Sequence, residues 1–138
     1  MKLGITGSRI ITQFDFIPYF MMQDKDFVAF CRKHGLGRRK ITRVITGGAQ
    51  GIDTIAFQTA EAAGIRNRQF LPDRKKFPGK LILKAFQERN QQIVDSCDIL
   101  LAVWDGKSRG TKNTLAYARR AHKPVFLVKV AQARQKSS

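Results

Sequence analysis

The sequence predicts an α/β domain of three layers: a five-stranded, mainly parallel sheet covered by helices on both faces. Three observations carry this. Short β-like apolar runs alternate with longer amphipathic segments in the order βαβαβαβαβ, which calls for right-handed crossovers and a covered parallel sheet. Several of the strand-like runs end in turns rich in glycine and hydroxyl residues. The most apolar run, Ile99-Leu100-Leu101-Ala102-Val103, lacks polar alternation, as a strand buried on both faces should. The expected strand order is 3-2-1-4-5, so a ligand would bind beyond the carboxyl ends of strands one and four, where the order reverses.

Taken in order, Lys2-Leu3-Gly4-Ile5-Thr6 reads as strand one and leads into Gly7-Ser8-Arg9, a turn offering a flexible backbone, a hydroxyl and a guanidinium. Residues 10–17 read as a loop whose Phe14 and Phe16 look exposed and could cover a ligand, with packing the favoured reading. Pro18 opens one helix running through Phe20, Met21, Phe27, Val28, Phe30 and Cys31 until Gly35 stops it. Strand two, Ile41 to Ile45, enters Thr46-Gly47-Gly48-Ala49-Gln50-Gly51-Ile52-Asp53. Three glycines there permit positive φ and a close approach of backbone amides to a ligand, phosphate above all. The bland alternative is a tight turn that only needs glycine.

An alanine-rich helix follows, with Ile52, Ile55, Ala56, Ala60 and Ala63 on one face and Gly64 at its end. Arg68-Gln69-Phe70-Leu71 is the third strand, and its arginines mark it as an edge; residues 73–79 form a basic loop. The next helix carries Leu81, Ile82, Leu83, Phe86, Ile93 and Val94 on its apolar side, with Arg89-Asn90 close by as either hydrogen-bonded structure or part of a site. Asp98 to Trp104 is strand four, Asp105 to Thr111 its turn, Thr114 to Ala121 a helix, and Val125 to Val128 the last strand.

A length of 138 residues fits one domain over residues 1–130, followed by a polar, basic tail over 131–138. Hydrophobic residues make up 43%, and no run approaches the roughly 18 apolar residues of a membrane span. The start lacks the apolar core and cleavage site of a signal peptide, so the expectation is a soluble, cytoplasmic protein with no membrane partner. Cys31 and Cys97 stand alone in apolar surroundings and read as reduced, packed thiols, with a disulfide the minor alternative; no metal-ligand spacing is present.

Charge is the outlier, since 26 Lys and Arg against 10 Asp and Glu give +16. Such an excess favours polyanionic partners. The candidate nucleic-acid surface is Arg38, Arg39, Lys40, Lys75 and Lys76, although no basic run interleaves aromatics in the manner of a base-stacking platform.

Four motifs together resemble a known family: ITGSR at Ile5 to Arg9, TGGAQGID at Thr46 to Asp53, Arg89-Asn90, and DGKSRGTKNT at Asp105 to Thr114. They are similar to those of the SLOG superfamily, which joins the Rossmann-like domains of DNA-processing protein A (DprA/Smf) with the Lonely Guy (LOG) phosphoribohydrolases. The glycine turn and the Arg-Asn pair resemble DprA, and the small size with Gly-Ser-Arg resembles stand-alone, YspA-type members. The resemblance implies a Rossmann-like α/β/α sandwich with a crevice for nucleotides or nucleotide-derived molecules. Lonely Guy enzymes carry a glutamate shortly after a Gly-Thr pair. Here Gly110-Thr111 is followed by Lys112, Asn113, Thr114 and Leu115, so the carboxylate that glycosidic cleavage ordinarily uses is missing from that place.

The functional expectation is a binding protein for a phosphate-containing, nucleotide-like ligand, with no catalytic residue and no other cofactor. Its site would comprise Gly7, Ser8, Arg9, Gly47, Gly48, Ala49, Gly51, Asp53, Arg89, Asn90, Asp105, Ser108, Gly110 and Thr111. Asp53 would cap the helix or hold the glycine turn through backbone amides. The alternative is a DprA-like module for single-stranded DNA or RNA, and behind it a LOG-like N-glycosidase of nucleoside monophosphates. A homodimer is expected from related proteins.

Overall fold

Five strands alternate with helices along the chain: β1 (Lys2–Gly7), α1 (Ile17–Phe20), α2 (Lys25–Lys33), β2 (Arg43–Thr46), α3 (Ile52–Ala62), β3 (Arg66–Gln69), α4 (Ile82–Ser96), β4 (Ile99–Trp104), α5 (Arg109–Arg120) and β5 (Val125–Lys129). The computed structural model describes residues 1–37 and 39–131, so nearly all of the expected basic tail and Arg38 lie outside the described residues. The sheet has the order β3-β2-β1-β4-β5, as the sequence predicts, and every pairing is parallel.

Strand alternation distributes the core between two layers. Leu3, Ile5, Val44, Ile99, Leu101 and Val103 pack with α1, α2 and α3, and Phe16, Phe20, Phe27, Cys31, Ile52, Ala56 and Ala60 complete that layer. Ile45 and Leu100 face the other way, against Ile93, Val94, Cys97 and Ala118 of the α4 and α5 side. Burial on both faces explains why β4 reads as a continuous apolar run. Small residues set the spacing: a Cβ added at Gly4 would lie 2.7 Å from Cys97 Sγ. Cys31 and Cys97 are both free and sit in opposite layers, so they form no disulfide.

Three expectations about individual elements are corrected. The helix after Pro18 is two helices, because the amides of Gln23 and Asp24 both turn back to the Pro18 carbonyl and Met22 takes a φ of 55°. Asp24 then opens α2 by accepting from the Phe27 amide at 2.9 Å. Phe14 and Phe16 pack into the core, the favoured reading of that loop. Phe16 is fully buried, and both rings belong to an aromatic cluster with Tyr19, Phe20, Phe27 and Phe126. Leu81 and Leu83 are exposed at 43% and 67%, and the buried stripe of α4 starts only at Ala85.

The last correction concerns α5, which starts at Arg109 and so takes Gly110 and Thr111 into its first turn instead of leaving them in the loop. The cause is Asp105. Its Oδ1 accepts from the amides of Lys107 (2.9 Å) and Ser108 (2.8 Å), which tightens the turn, and the Lys112 amide then donates to the Ser108 carbonyl.

Candidate functional site

At the carboxyl ends of β1 and β4, between α4 and α5, lies an open cleft of about 740 Å³. Thr6, Gly7 and Arg9 line it from β1, Phe86, Arg89 and Asn90 from α4, Asp105 and Ser108 from the turn after β4, and Gly110 and Thr111 from α5; Ala49 and Asp53 reach it from the glycine turn. This is the place where the strand order reverses, and the sheet topology alone directs a ligand there.

The glycine turn after β2 is closed by its own carboxylate. Asp53 Oδ2 accepts from the amides of Gly47 and Ala49, both at 3.2 Å, so two of the amides expected to hold phosphate are already engaged. Gly51 precedes α3 at φ 73°, pressed against β1's turn: a Cβ there would come within 2.4 Å of the Arg9 carbonyl oxygen. Glycine is therefore required by packing as well as by conformation. Gly48 is exposed beside Leu71 and Gln69, and none of Gly47, Gly48 and Gly51 lines the cleft.

Arg89 projects from α4 into the turn and is 6% exposed. Its Nη1 donates to the Gly47 carbonyl and its Nε to Asn90 Oδ1 at 2.9 Å. Gly47 leaves room for this, since a Cβ would sit 2.7 Å from Nη1 and 2.8 Å from Cδ. Asp53 and Arg89 feel one another without direct ion pairing. Burial raises the Asp53 carboxyl to about 6, while the Ala49 amide, the Arg89 charge and the Gly47 amide oppose the rise. Burial likewise pulls the Arg89 guanidinium below its ordinary value, and Asp53 resists that change.

On the other wall, Ser8 is fully buried and its Oγ accepts from the Asp105 amide at 3.1 Å, tying the ends of β1 and β4 together. Burial raises the Asp105 carboxyl, but hydrogen bonds from the Lys107 and Ser108 amides outweigh it and hold the group below the usual carboxylate value. Ser108 Oγ and Thr111 Oγ1 lie 3.4 Å apart at the start of α5.

At the rim of the cleft stands a group that the sequence motifs miss, with Arg9, Phe86 and Arg89 in the lining and Arg74 approaching from the exposed loop before α4. Phe86 has the guanidinium carbons of Arg9, Arg74 and Arg89 at 5.5, 5.7 and 5.7 Å from its ring centroid. Among the described residues the one ion pair is Lys76 with Glu88 at 2.7 Å, so no carboxylate neutralises these three arginines by direct contact. An aromatic face beside unneutralised guanidiniums can take a planar π-system and an anion together. The interleaving of basic and aromatic groups denied by the linear sequence is thus present in space. One signal was legible: Phe86 precedes Arg89 by three residues, the spacing that places two side chains on one helical face.

The fold and the cleft can now be set beside known proteins. No family model matches the chain. Over 45 residues it is 36% identical to an uncharacterized SPbeta prophage-derived protein, YoqJ, of Bacillus subtilis, an alignment covering 33% of this chain and 26% of that protein. Among solved structures, DNA processing protein A from Helicobacter pylori superposes with a TM-score of 0.57 at 22% identity, covering 96% of this chain and 66% of the other. The chain has a DprA-like Rossmann fold. It spans about a quarter of the curated relative and just under two thirds of the structural one. The Helicobacter protein was described for its single-stranded DNA binding mode.

The remaining surface candidates stand apart from the cleft. Arg39 and Lys40 are exposed ahead of β2, at the opposite end of the sheet, while Arg38 lies outside the described residues. Lys75 and Lys76 are exposed in the loop leading to α4. Lys76 is engaged with Glu88. Among the described residues no group of His, Cys, Asp and Glu could hold a metal, and no helix is long and apolar enough to cross a membrane.

Proposed function

We propose that the cleft binds single-stranded nucleic acid, with phosphates on Arg9 and Arg74 and a base against Phe86. The observation that carries this reading is the cluster of three guanidiniums around one ring at the strand ends, with no carboxylate among the described residues in direct contact. Arg89, anchored by Gly47 and Asn90, is the fixed cation of the set. The net charge of +16 adds a salt-dependent attraction for any polyanion. The Helicobacter structure, described for its single-stranded DNA binding mode, supports the same class of ligand. In this reading the chain is a small member of the SLOG superfamily, in agreement with its four motifs. This reading assigns the cleft carboxylates a structural part: Asp53 Oδ2 and Asp105 Oδ1 each accept from two backbone amides and hold their turns.

Fluorescence anisotropy with a labelled oligothymidylate at low salt tests the proposal. Arg9→Ala should weaken binding about tenfold and lower the slope of log K against log salt by about 0.7, the value for one phosphate on a single strand. Phe86→Ala should weaken binding with the slope retained. Failure of the wild-type protein to bind at low salt overturns the proposal.

A second reading is favoured by the volume of the cleft, about 740 Å³, which suits a free mononucleotide or nucleotide-derived signal. Thermal stabilisation by mononucleotides, without affinity for oligonucleotides, would select it.

A further inference from the structure

Away from the cleft, the opposite end of the sheet carries a row of cations. Lys2, Arg43 and Arg66 are paired in register across β1, β2 and β3, so their side chains share the face that α4 and α5 cover elsewhere. With strands about 4.8 Å apart, three positive charges stand across roughly 10 Å. Like charges directly opposite one another destabilise a sheet. Among the described residues none of the three is in ion-pair contact with a carboxylate, and Asp98 beside them is held by the backbone amide of Lys2 at 2.7 Å. All three line one depression of about 570 Å³.

Edge protection explains part of this arrangement and fails for the rest. Basic residues on β3, the outermost strand, discourage pairing with another chain. Lys2 and Arg43 lie on interior strands, where there is no edge to protect.

The row also has a continuation. On β3 the same face presents Arg66 and then Arg68, both exposed, while α3 lies on the opposite face, where Asn67 donates to the Phe57 carbonyl. Arg68 covers the ring of Phe70 at 4.7 Å, a second arginine–aromatic pair. From Arg66 to Phe70 the strand direction advances about 13 Å toward the end of the sheet that holds the cleft.

We propose that this face of β3, from the Lys2–Arg43–Arg66 row through Arg68 and Phe70, is a track for the backbone of the same single strand whose end occupies the cleft. The proposal rests on the cleft reading and extends it. Cations spaced along one face with an aromatic at their end suit a sequence-independent single strand: phosphates meet the arginines and a base meets Phe70.

The test compares oligothymidylates of about four and about twelve nucleotides, lengths within the range that single-strand modules cover, on the wild-type protein and on Arg66→Glu/Arg68→Glu. Wild type should bind the longer strand at least tenfold more tightly. The double variant should lose that gain, with its salt slope lowered by about 1.4 for two phosphates, and keep wild-type affinity for the short strand. Arg66→Lys/Arg68→Lys should restore most of the gain, separating charge from fold. The track is overturned if the longer strand binds no more tightly, if the glutamate variant is unaffected, or if a duplex of equal length binds as well. Absence of any oligonucleotide binding by wild type overturns the cleft reading itself, whereas short-strand binding without a length effect overturns the track alone.

Discussion

Replacing Asp53 by asparagine should change how the stability of this protein depends on pH. In the native state the carboxyl is buried and its pKa rises from 3.8 to about 6. Between those values the folded protein binds more protons at this site than the unfolded chain, so stability falls as pH rises through the interval and is level above it. A difference of about two pKa units at 1.36 kcal/mol each makes the change about 3 kcal/mol. The carboxamide oxygen of asparagine can accept from the Gly47 and Ala49 amides in place of Oδ2, so the turn has a means of remaining closed.

The assay is urea unfolding of both proteins from about pH 3 to pH 7, read as wild-type minus variant stability, a window that starts below the unfolded pKa and ends above the folded one. The subtraction removes effects common to both chains, including the repulsion of a +16 protein and the opposite behaviour of Asp105, whose lowered pKa stabilises the fold above the ordinary carboxylate range and loses that contribution as acid protonates it. The difference should fall by about 3 kcal/mol across the interval and then flatten. A difference that stays constant, or that rises with pH, would refute the argument that burial outweighs the amides and Arg89 at this carboxylate.

Three further outcomes follow from the same geometry. Gly51→Ala combines a φ of 73° with a backbone contact of 2.4 Å and should cost about 3 kcal/mol or more in chemical denaturation. An unchanged midpoint would show that the turn after β1 yields. Thr46→Val removes a buried hydroxyl without a hydrogen-bond partner and should raise thermal stability by about 1 kcal/mol, whereas a loss of stability would mean that the hydroxyl is satisfied in solution. Both thiols should resist a disulfide reagent at neutral pH until the protein unfolds, since burial raises Cys31 and pushes Cys97 up to about 11; rapid labelling of the native protein would contradict the packing of the layers.

The parallel sheet and its order were legible because the local signals agreed with the global fold: apolar β-runs, glycine turns and amphipathic helices each pointed to one topology. The break at Met22 was hidden, since Phe20, Phe27 and Phe30 fit one helical face and only Asp24, as a cap, marks a second start. Packing was the favoured reading of Phe16, but with no periodic pattern around it the partners were hidden; they are Phe14 and Phe20. The arginine cluster was the least legible part. Arg9, Arg74 and Phe86 come from three separate elements, and no linear spacing records that they meet.

The glycine turn shows how local chemistry can redirect a site. A strand-to-helix turn with bare amides attracts phosphate because those donors lack partners. Here Asp53 supplies an anion from within the chain, and Gly47 and Ala49 donate to it. A ligand phosphate could reach those two amides only by displacing the carboxylate, which would leave Arg89 without its nearest acidic neighbour. Arg9 and Arg74 lie beside Phe86 with no such competitor in direct contact among the described residues. An incoming anion therefore meets the lower cost on the arginine side of the cleft, and the glycine turn serves it indirectly, by giving Arg89 a carbonyl to hold and room to stand.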